Sequence, residues 1–289
     1  MPPRSRPLRI RLVTLTSDIG PAYAAQVKAA LIARGVPPER IVDLAHDLPA
    51  HGIREGAFLV RAMARGFPPS SVHVVVVDPG VGGRRSSVAI ETRAGPILVG
   101  PDNGVLCPLA RELGLRSTYR IETRRLPITK RVGTTFDGRD VFAPAAALLA
   151  TGVRASSLGP AVRPTELTLP PPRNERGVLR GEVVHVDHFG NLITNIPSEW
   201  WTQARGHCDL RVGPRRVRTV PFATSYEQLG RGKLGVLGSS FGLLEVAVGE
   251  GRATDRLRAG AGVRVTLAPP RRTARRGENA NSARPRKRR

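Results

Sequence analysis

The residues best placed to do chemistry follow a run of four valines at positions 74–77. Asp78 comes directly after this run, a turn rich in glycine and proline spans residues 79–83, and Arg85 lies seven residues beyond Asp78. Consecutive β-branched residues are typical of a strand buried on both faces, and such strands end at the edge of the sheet where ligands bind. The turn lets Arg85 return toward the carboxylate, where the pair could orient a ligand or form an ordinary structural ion pair.

Two further segments place acids at the ends of predicted elements. Asp18 follows an apolar–polar alternation over residues 8–16 and could accept hydrogen bonds from a ribose diol or cap the helix that opens at Pro21. The segment 134–146 contains two acids and an arginine, with Asp137 and Asp140 just before an apolar helix. Helix capping alone does not require this many charges, so this segment is also a candidate for the site.

The second half of the chain has polar residues at strand ends. Residues 187–196 join hydrogen-bonding side chains to an apolar strand, and residues 238–245 place a serine pair in a glycine-flanked turn. These segments become informative only in combination with the first half.

The elements that must position these residues change character along the chain. Strands and helices alternate up to about residue 150, which predicts an α/β N-terminal domain with a largely parallel sheet covered by helices. Short strands separated by glycine turns then predict a small antiparallel β-barrel as the C-terminal domain. The expected boundaries are 1–160 for the α/β domain, 161–177 for a proline-rich linker, 178–270 for the barrel and 271–289 for a disordered basic tail.

Composition narrows the possible partners. The formal charge is +23, of which +8 lies in residues 271–289, so the tail could make non-specific contact with nucleic acid, either RNA or DNA, or with acidic lipid. Only 4% of residues are aromatic, which gives few platforms for base stacking. No apolar run is long enough to span a membrane, and the N-terminus lacks the apolar core of a signal peptide, which predicts a cytoplasmic protein. Two cysteines support neither a disulfide framework nor a zinc cluster.

Taken together and in this order, the segments resemble the family of S-adenosylmethionine hydrolases, or hydroxide adenosyltransferases, to which fluorinases and chlorinases are related. The resemblance runs from about residue 12 to residue 267. It implies an α/β domain followed by a β-barrel domain, and a homotrimer in which S-adenosylmethionine lies between one subunit's N-terminal domain and its neighbour's C-terminal domain. S-adenosylmethionine would be the substrate, with no cofactor and no metal.

The resemblance also implies roles for individual residues. Asp18 is similar to the acceptor of the ribose diol, and Phe136 to a wall of the site near the sugar. Asp187 and Ser240 are similar to the groups that hold the methionine ammonium and carboxylate. The remaining matches are on the adenine side of the substrate. Phe189 and Asn191 are similar to residues that contact the adenine, and Tyr226 is similar to a ring that stacks on it. His46 and Glu55 match too, and we expect them to make structural hydrogen bonds.

The hydrolases of this family use an Asp, an Arg and a His to position the attacking water. Asp78 and Arg85 match the first two positions, which the halogenases lack, so the resemblance favours a hydrolase. Asp137 stands where the family usually has the histidine. Asp137 could act as the base if crowding by Asp78 raises its proton affinity, although Arg85 would oppose this shift, or His51 could supply the imidazole.

The predicted function is therefore hydrolysis of S-adenosyl-L-methionine to adenosine and L-methionine, by attack of water or hydroxide at the 5′-carbon. Two alternatives remain open at this point. The chain could bind S-adenosylmethionine or adenosine without turnover, with Asp137 as the sign of lost catalysis. It could also be a nucleic-acid protein, as its charge suggests.

Overall fold

A computed structural model of the chain describes residues 10–127, 133–201 and 206–270. The basic tail that we predict to be disordered lies outside the described residues. The helices are α1 (Gly20–Ile32), α2 (Ile53–Met63), α3 (Cys107–Glu112), α4 (Ala143–Ala150) and α5 (Ala253–Leu257). The strands are β1 (Val13–Ser17), β2 (Ile41–Ala45), β3 (Val72–Val76), β4 (Ser87–Thr92), β5 (Ile97–Pro101), β6 (Leu115–Arg120), β7 (Arg173–Glu175), β8 (Val178–Val186), β9 (Leu192–Pro197), β10 (His207–Val212), β11 (Arg215–Pro221), β12 (Leu234–Gly238), β13 (Leu243–Val248) and β14 (Arg264–Ala268).

Contacts divide the chain into two compact units. Of the described residues, the first unit comprises those up to Pro171 together with Val183–Asp187 and Gly260–Gly262. The second unit comprises the described residues of Pro172–Glu182, of His188–Ala259 and from Val263 to residue 270. The predicted domain boundaries stay predictions, and each unit is described by itself below.

The first unit is built on a six-stranded sheet in the order β2-β1-β3-β5-β4-β6. The pairs β1–β2, β1–β3 and β3–β5 are parallel, whereas β4 runs antiparallel to both β5 and β6. The valine strand β3 therefore lies in the centre of the sheet and is buried along its whole length. The mixed but largely parallel sheet confirms the predicted fold class of this half.

Apolar side chains cover both faces of this sheet. Val72, Val74 and Val76 belong to the cluster that also takes residues from α1 and α4. Val77 points the other way, because a Cβ added at Gly56 of α2 would lie 3.2 Å from its side chain. Burial on both faces explains why this strand is a run of valines and not an alternation of apolar and polar residues.

The second unit contains a sheet in the order β11-β10-β14-β8-β9-β13-β12, with β7 paired to β8 alone. The pairs β10–β11, β10–β14, β8–β14, β9–β13 and β12–β13 are antiparallel. A bridge between Phe222, directly after β11, and Val236 of β12 links the two ends, so that the sheet nearly closes into a barrel. This confirms the antiparallel barrel predicted for the C-terminal half. The short β7 lies within the proline-rich segment, where prolines permit only an edge strand.

Candidate active site

The turn after β3 brings Arg85 back to Asp78. The backbone N–H of Val81 donates to the carbonyl of Asp78 at 3.1 Å, and that of Gly83 donates to the carbonyl of Gly80 at 3.0 Å. Gly82 has φ +77, and a Cβ at this position would lie 2.9 Å from the carbonyl oxygen of Thr134. Glycine is therefore required here both for its backbone conformation and for the close approach of the 134–138 segment.

Asp137 reaches the same place from a different element. It directly precedes a π-helical turn at Gly138–Phe142, which continues into α4. A Cβ at Gly138 would lie 3.0 Å from the side chain of Val76, so the turn packs directly on the end of β3. Single π-helical turns of this kind are frequent at functional sites.

Arg85 binds both carboxylates at once. Its Nε donates to Asp78 Oδ1 at 2.9 Å, and its Nη2 donates to Asp78 Oδ2 and, at 2.5 Å, to Asp137 Oδ2. Nη1 donates to the hydroxyl of Ser87 at 2.9 Å, and the guanidinium lies over the ring of Phe142 at 5.6 Å. Four of the five N–H groups of the guanidinium are thus engaged, and this side chain orients the two carboxylates.

The charges in this cluster are well buried. The side chains of Asp78, Arg85 and Asp137 are only 5%, 12% and 7% exposed. Burial raises the pKa of Asp78 above its ordinary value of 3.8, and the nearby charge of Asp137 acts in the same direction. Hydrogen bonds from Arg85 and from the backbone of Gly80 oppose the rise in this pKa without cancelling it.

A cavity of about 220 Å³ lies beside the carboxylates. Asp78 and Asp137 of the cluster line this cavity. Three other residues that the sequence singles out as candidates line it too: Asp18, His51 and Phe136. The structure therefore brings together, around one cavity, the residues for which the resemblance implies roles at the ribose and at the reacting carbon.

Asp18 does not cap α1. The residue at the N-cap of that helix is Ile19, and no side chain makes a capping hydrogen bond there. Asp18 Oδ2 instead accepts the backbone N–H of His51 at 3.0 Å. His51 lines the cavity, is exposed and has φ +65, an unusual backbone conformation for a non-glycine residue.

Two of the candidates for the adenine side meet in the second unit. Asn191 is buried on the approach to β9, and its Nδ2 donates to the Tyr226 hydroxyl at 3.5 Å. Tyr226 in turn donates to Glu245 Oε1. Phe189 and Ser240 are exposed, and Asp187, which is half-buried, belongs by its contacts to the first unit.

Sequence reasoning missed two participants in these networks. Ser87 accepts a hydrogen bond from Arg85, and Glu245 binds Tyr226 from within a buried strand. A signal was present for Glu245, because a carboxylate interrupts the apolar sequence of β13. His46 and Glu55 make the hydrogen bonds expected of them, to Ser17 at 2.8 Å and to His185 at 2.5 Å.

The part of the chain that the structure describes holds no metal-binding cluster and no membrane-spanning helix. No group of three or more His, Cys, Asp or Glu side chains within residues 10–127, 133–201 and 206–270 could hold a metal ion. None of the helices that the structure describes combines the length and the apolar character needed to cross a bilayer.

Comparison with known proteins places this architecture in a family. The N-terminal domain of SAM hydroxide adenosyltransferases matches residues 13–159, and the C-terminal domain of the same proteins matches residues 181–266. The chain therefore belongs to the SAM hydroxide adenosyltransferase family.

Individual relatives agree with this assignment. The (R)-S-adenosyl-L-methionine hydrolase of Salinispora tropica is 38% identical over 265 residues, which are 88% of this chain and 97% of the relative. A crystal structure of an uncharacterized conserved protein from Thermotoga maritima superposes with a TM-score of 0.81 at 32% identity and covers 89% of this chain and 100% of its own. A fluorinase from Actinoplanes sp. is more distant, with 28% identity over 68% of this chain and 74% of the relative.

Proposed function

We propose that this protein hydrolyses S-adenosyl-L-methionine to adenosine and L-methionine. The observation that carries the proposal is the Asp78–Arg85–Asp137 cluster at the edge of a cavity that Asp18 and Phe136 also line. The family to which the chain belongs, and the name of the Salinispora relative, support the same reaction.

The reaction needs a positioned nucleophile and little else. The leaving group of a sulfonium is a neutral thioether, which departs without help from an acid. A water molecule held by Asp78 attacks the 5′-carbon in line with sulfur. As the new C–O bond forms, the C–S bond breaks, its electron pair returns to sulfur, and the proton of the water passes to Asp78 and then to solvent. Positioning of this kind lowers barriers by about 7–11 kcal/mol.

Arg85 contributes by fixing the carboxylates, since nearly all of its N–H groups are already engaged. With both acids ionised, the cluster carries one net negative charge. This charge complements the sulfonium of the substrate, and the burial of the three side chains strengthens the attraction because a protein interior screens charge less than water does. The same charge disfavours a halide nucleophile.

The remaining roles follow the resemblance. We assign Asp18 to the ribose diol and Phe136 to the wall beside the sugar, because both line the cavity. Asp187 and Ser240 would bind the methionine end of the substrate. The adenine would contact Phe189 and Asn191 and stack on Tyr226, whose ring is exposed enough to receive it.

We further propose a cytoplasmic homotrimer in which neighbouring subunits complete the sites. Free buried thiols at Cys107 and Cys208 suit a reducing compartment. The trimer rests on the family resemblance alone. The basic residues 271–289 would add weak, non-specific contact with nucleic acid. No cofactor is required, since S-adenosylmethionine is itself the substrate.

An assay of Asp78→Asn tests the catalytic assignment. The amide cannot accept the proton of the attacking water, so we expect kcat for adenosine release to fall by about 100- to 10,000-fold. Adenosine and methionine are quantified by chromatography and should appear in equal amounts with the unsubstituted protein. Asp255→Asn, which changes an exposed acid on α5, should leave the rate unchanged.

A fully active Asp78→Asn variant would refute the role of Asp78. Adenosine binding without turnover by the unsubstituted protein would identify a binding protein instead.

A further inference from the structure

Glu245 places a carboxylate at a buried strand position of the kind that apolar side chains usually occupy. It lies in the middle of β13, is only 3% exposed, and its neighbours Leu244 and Val246 are fully buried. In the sheet it stands opposite Leu237 of β12 and Ile193 of β9. Burying a carboxylate costs free energy that a leucine or valine at this position would not. Stability of the barrel therefore does not explain the choice of residue.

The contacts of Glu245 lead directly to a residue of the proposed site. Glu245 Oε1 accepts the hydroxyl of Tyr226, and that same hydroxyl accepts a hydrogen bond from Asn191. Tyr226 opens a short 3-10 turn and is 54% exposed, so packing restrains its ring only in part. The hydrogen bonds at the hydroxyl fix the far end of the ring while its face stays accessible.

We propose that Glu245 is a positioning residue that, with Asn191, holds the Tyr226 ring ready for adenine to stack on it. This inference rests on the proposed function, because it takes Tyr226 to be the platform for the adenine. A ring that is held before the substrate arrives loses less rotational freedom on binding. Glu245 thus strengthens binding of the adenosine part of the substrate and leaves the reaction at the 5′-carbon unaffected.

The experiment compares four variants of the full-length protein: Glu245→Gln, Glu245→Met, Tyr226→Phe and the double variant Tyr226→Phe/Glu245→Met. Glutamine keeps an oxygen that accepts the phenol proton, whereas methionine has a similar volume and no such acceptor. KM and kcat are measured with S-adenosylmethionine, and Kd for adenosine by calorimetry. Thr194→Val is the matched control, because Thr194 is fully buried in the same sheet and donates to the carbonyl of Leu244.

We expect Glu245→Met to raise both KM and the Kd for adenosine by about five- to tenfold, with kcat within about twofold. Glu245→Gln should stay within about twofold of the unsubstituted protein in all three quantities. In the Tyr226→Phe background, Glu245→Met should cause no further increase, because its effect passes through the hydroxyl. Thr194→Val should lower the melting temperature without changing KM.

Two results would overturn the inference. One is an unchanged KM and Kd in Glu245→Met; the other is an equal increase in the presence and absence of the Tyr226 hydroxyl, which indicates a general effect on the barrel. Failure of the proposed function is distinguishable, because it shows as the absence of adenosine release by the unsubstituted protein. In that case adenosine binding still decides the role of Glu245, and a protein that does not bind adenosine refutes both proposals.

Discussion

Two carboxylates share one guanidinium at the end of the valine strand, and this arrangement governs how the cluster responds to pH. Burial and the charge of Asp137 both raise the pKa of Asp78, so this carboxyl holds its proton to a higher pH than an ordinary aspartic acid. Only the ionised form can accept a proton from water. Activity should therefore fall as the pH drops through the raised pKa of Asp78.

Replacement of Asp137 tests this coupling. In Asp137→Asn the like charge beside Asp78 disappears, and Asp78 becomes the only carboxylate that Arg85 binds. The pKa of Asp78 should therefore fall, and the acidic limb of kcat/KM should move to lower pH. Asp137→His restores the residue usual in the family and should add a limb near the ordinary histidine pKa of about 6.5 if the imidazole becomes the base. The measurement is kcat/KM against pH for the three proteins. Identical profiles would remove Asp137 from the mechanism.

At this scale the sequence predicts a pair of opposite charges that a recognisable turn can bring together. Asp78 and Arg85 are seven positions apart around an obvious turn, and the structure pairs them. Ser87 and Glu245 escape sequence reasoning because their functional partners depend on side-chain directions that only the folded chain defines. A buried acid in an apolar strand is the sequence signal that was overlooked.

The elements around the cluster are held by close backbone contacts. The turn after β3 and the segment before the π-helical turn meet where Gly82 faces Thr134, and Gly138 packs against Val76. A small displacement of either segment changes the separation of the two carboxylates. Catalytic geometry is sensitive to displacements of about 1 Å.

Gly82→Ala should therefore reduce both stability and activity. We expect a loss of about 1–3 kcal/mol in the free energy of unfolding from the positive φ, and a fall in kcat/KM as the Cβ pushes away the carbonyl of Thr134. Gly66→Ala is the matched control, since Gly66 has φ +86 and open space around its Cβ position. It should lose stability alone. Urea unfolding and kcat/KM separate the two effects, and equal activity losses in both variants would contradict this explanation.

Most helices and strands were predictable from their apolar patterns, including the buried strand β3. Three elements were not. β7 consists of three exposed residues within the proline-rich segment that we predict to be a linker. β6 has a polar composition, because it pairs at the edge of the sheet and is only partly buried. α5 has five residues, too few for helical periodicity to show. The first strand begins at Val13, later than the alternation from residue 8 predicts.

For the whole molecule, charge is a weaker guide to function than the site is. The formal charge of +23 suggests a nucleic-acid protein, yet the family and the cavity point to a small-molecule substrate. Two domains could be predicted because alternating strands and helices give way to consecutive short strands. Whether copies of the chain assemble could not be predicted from the pattern, since it reports which residues are buried and not which surface covers them.

Deletion of residues 271–289 tests whether the basic tail or the body of the protein contacts nucleic acid. Because this segment holds +8 of the total, its removal should abolish retention on immobilised single-stranded DNA at moderate salt, and the dependence of binding on salt should flatten. KM and kcat for S-adenosylmethionine should stay the same. If the shortened protein were retained as strongly as the full chain, the body and not the tail would be the nucleic-acid surface.

If this protein directs water to the 5′-carbon of S-adenosylmethionine, the oxygen of the new hydroxyl comes from the solvent. Hydrolysis in water enriched in ¹⁸O, followed by mass spectrometry of the products, measures where that oxygen goes. One ¹⁸O atom should appear in the 5′-hydroxyl of adenosine and none in methionine. Adenosine that forms without the label, or label that enters methionine instead, would contradict it.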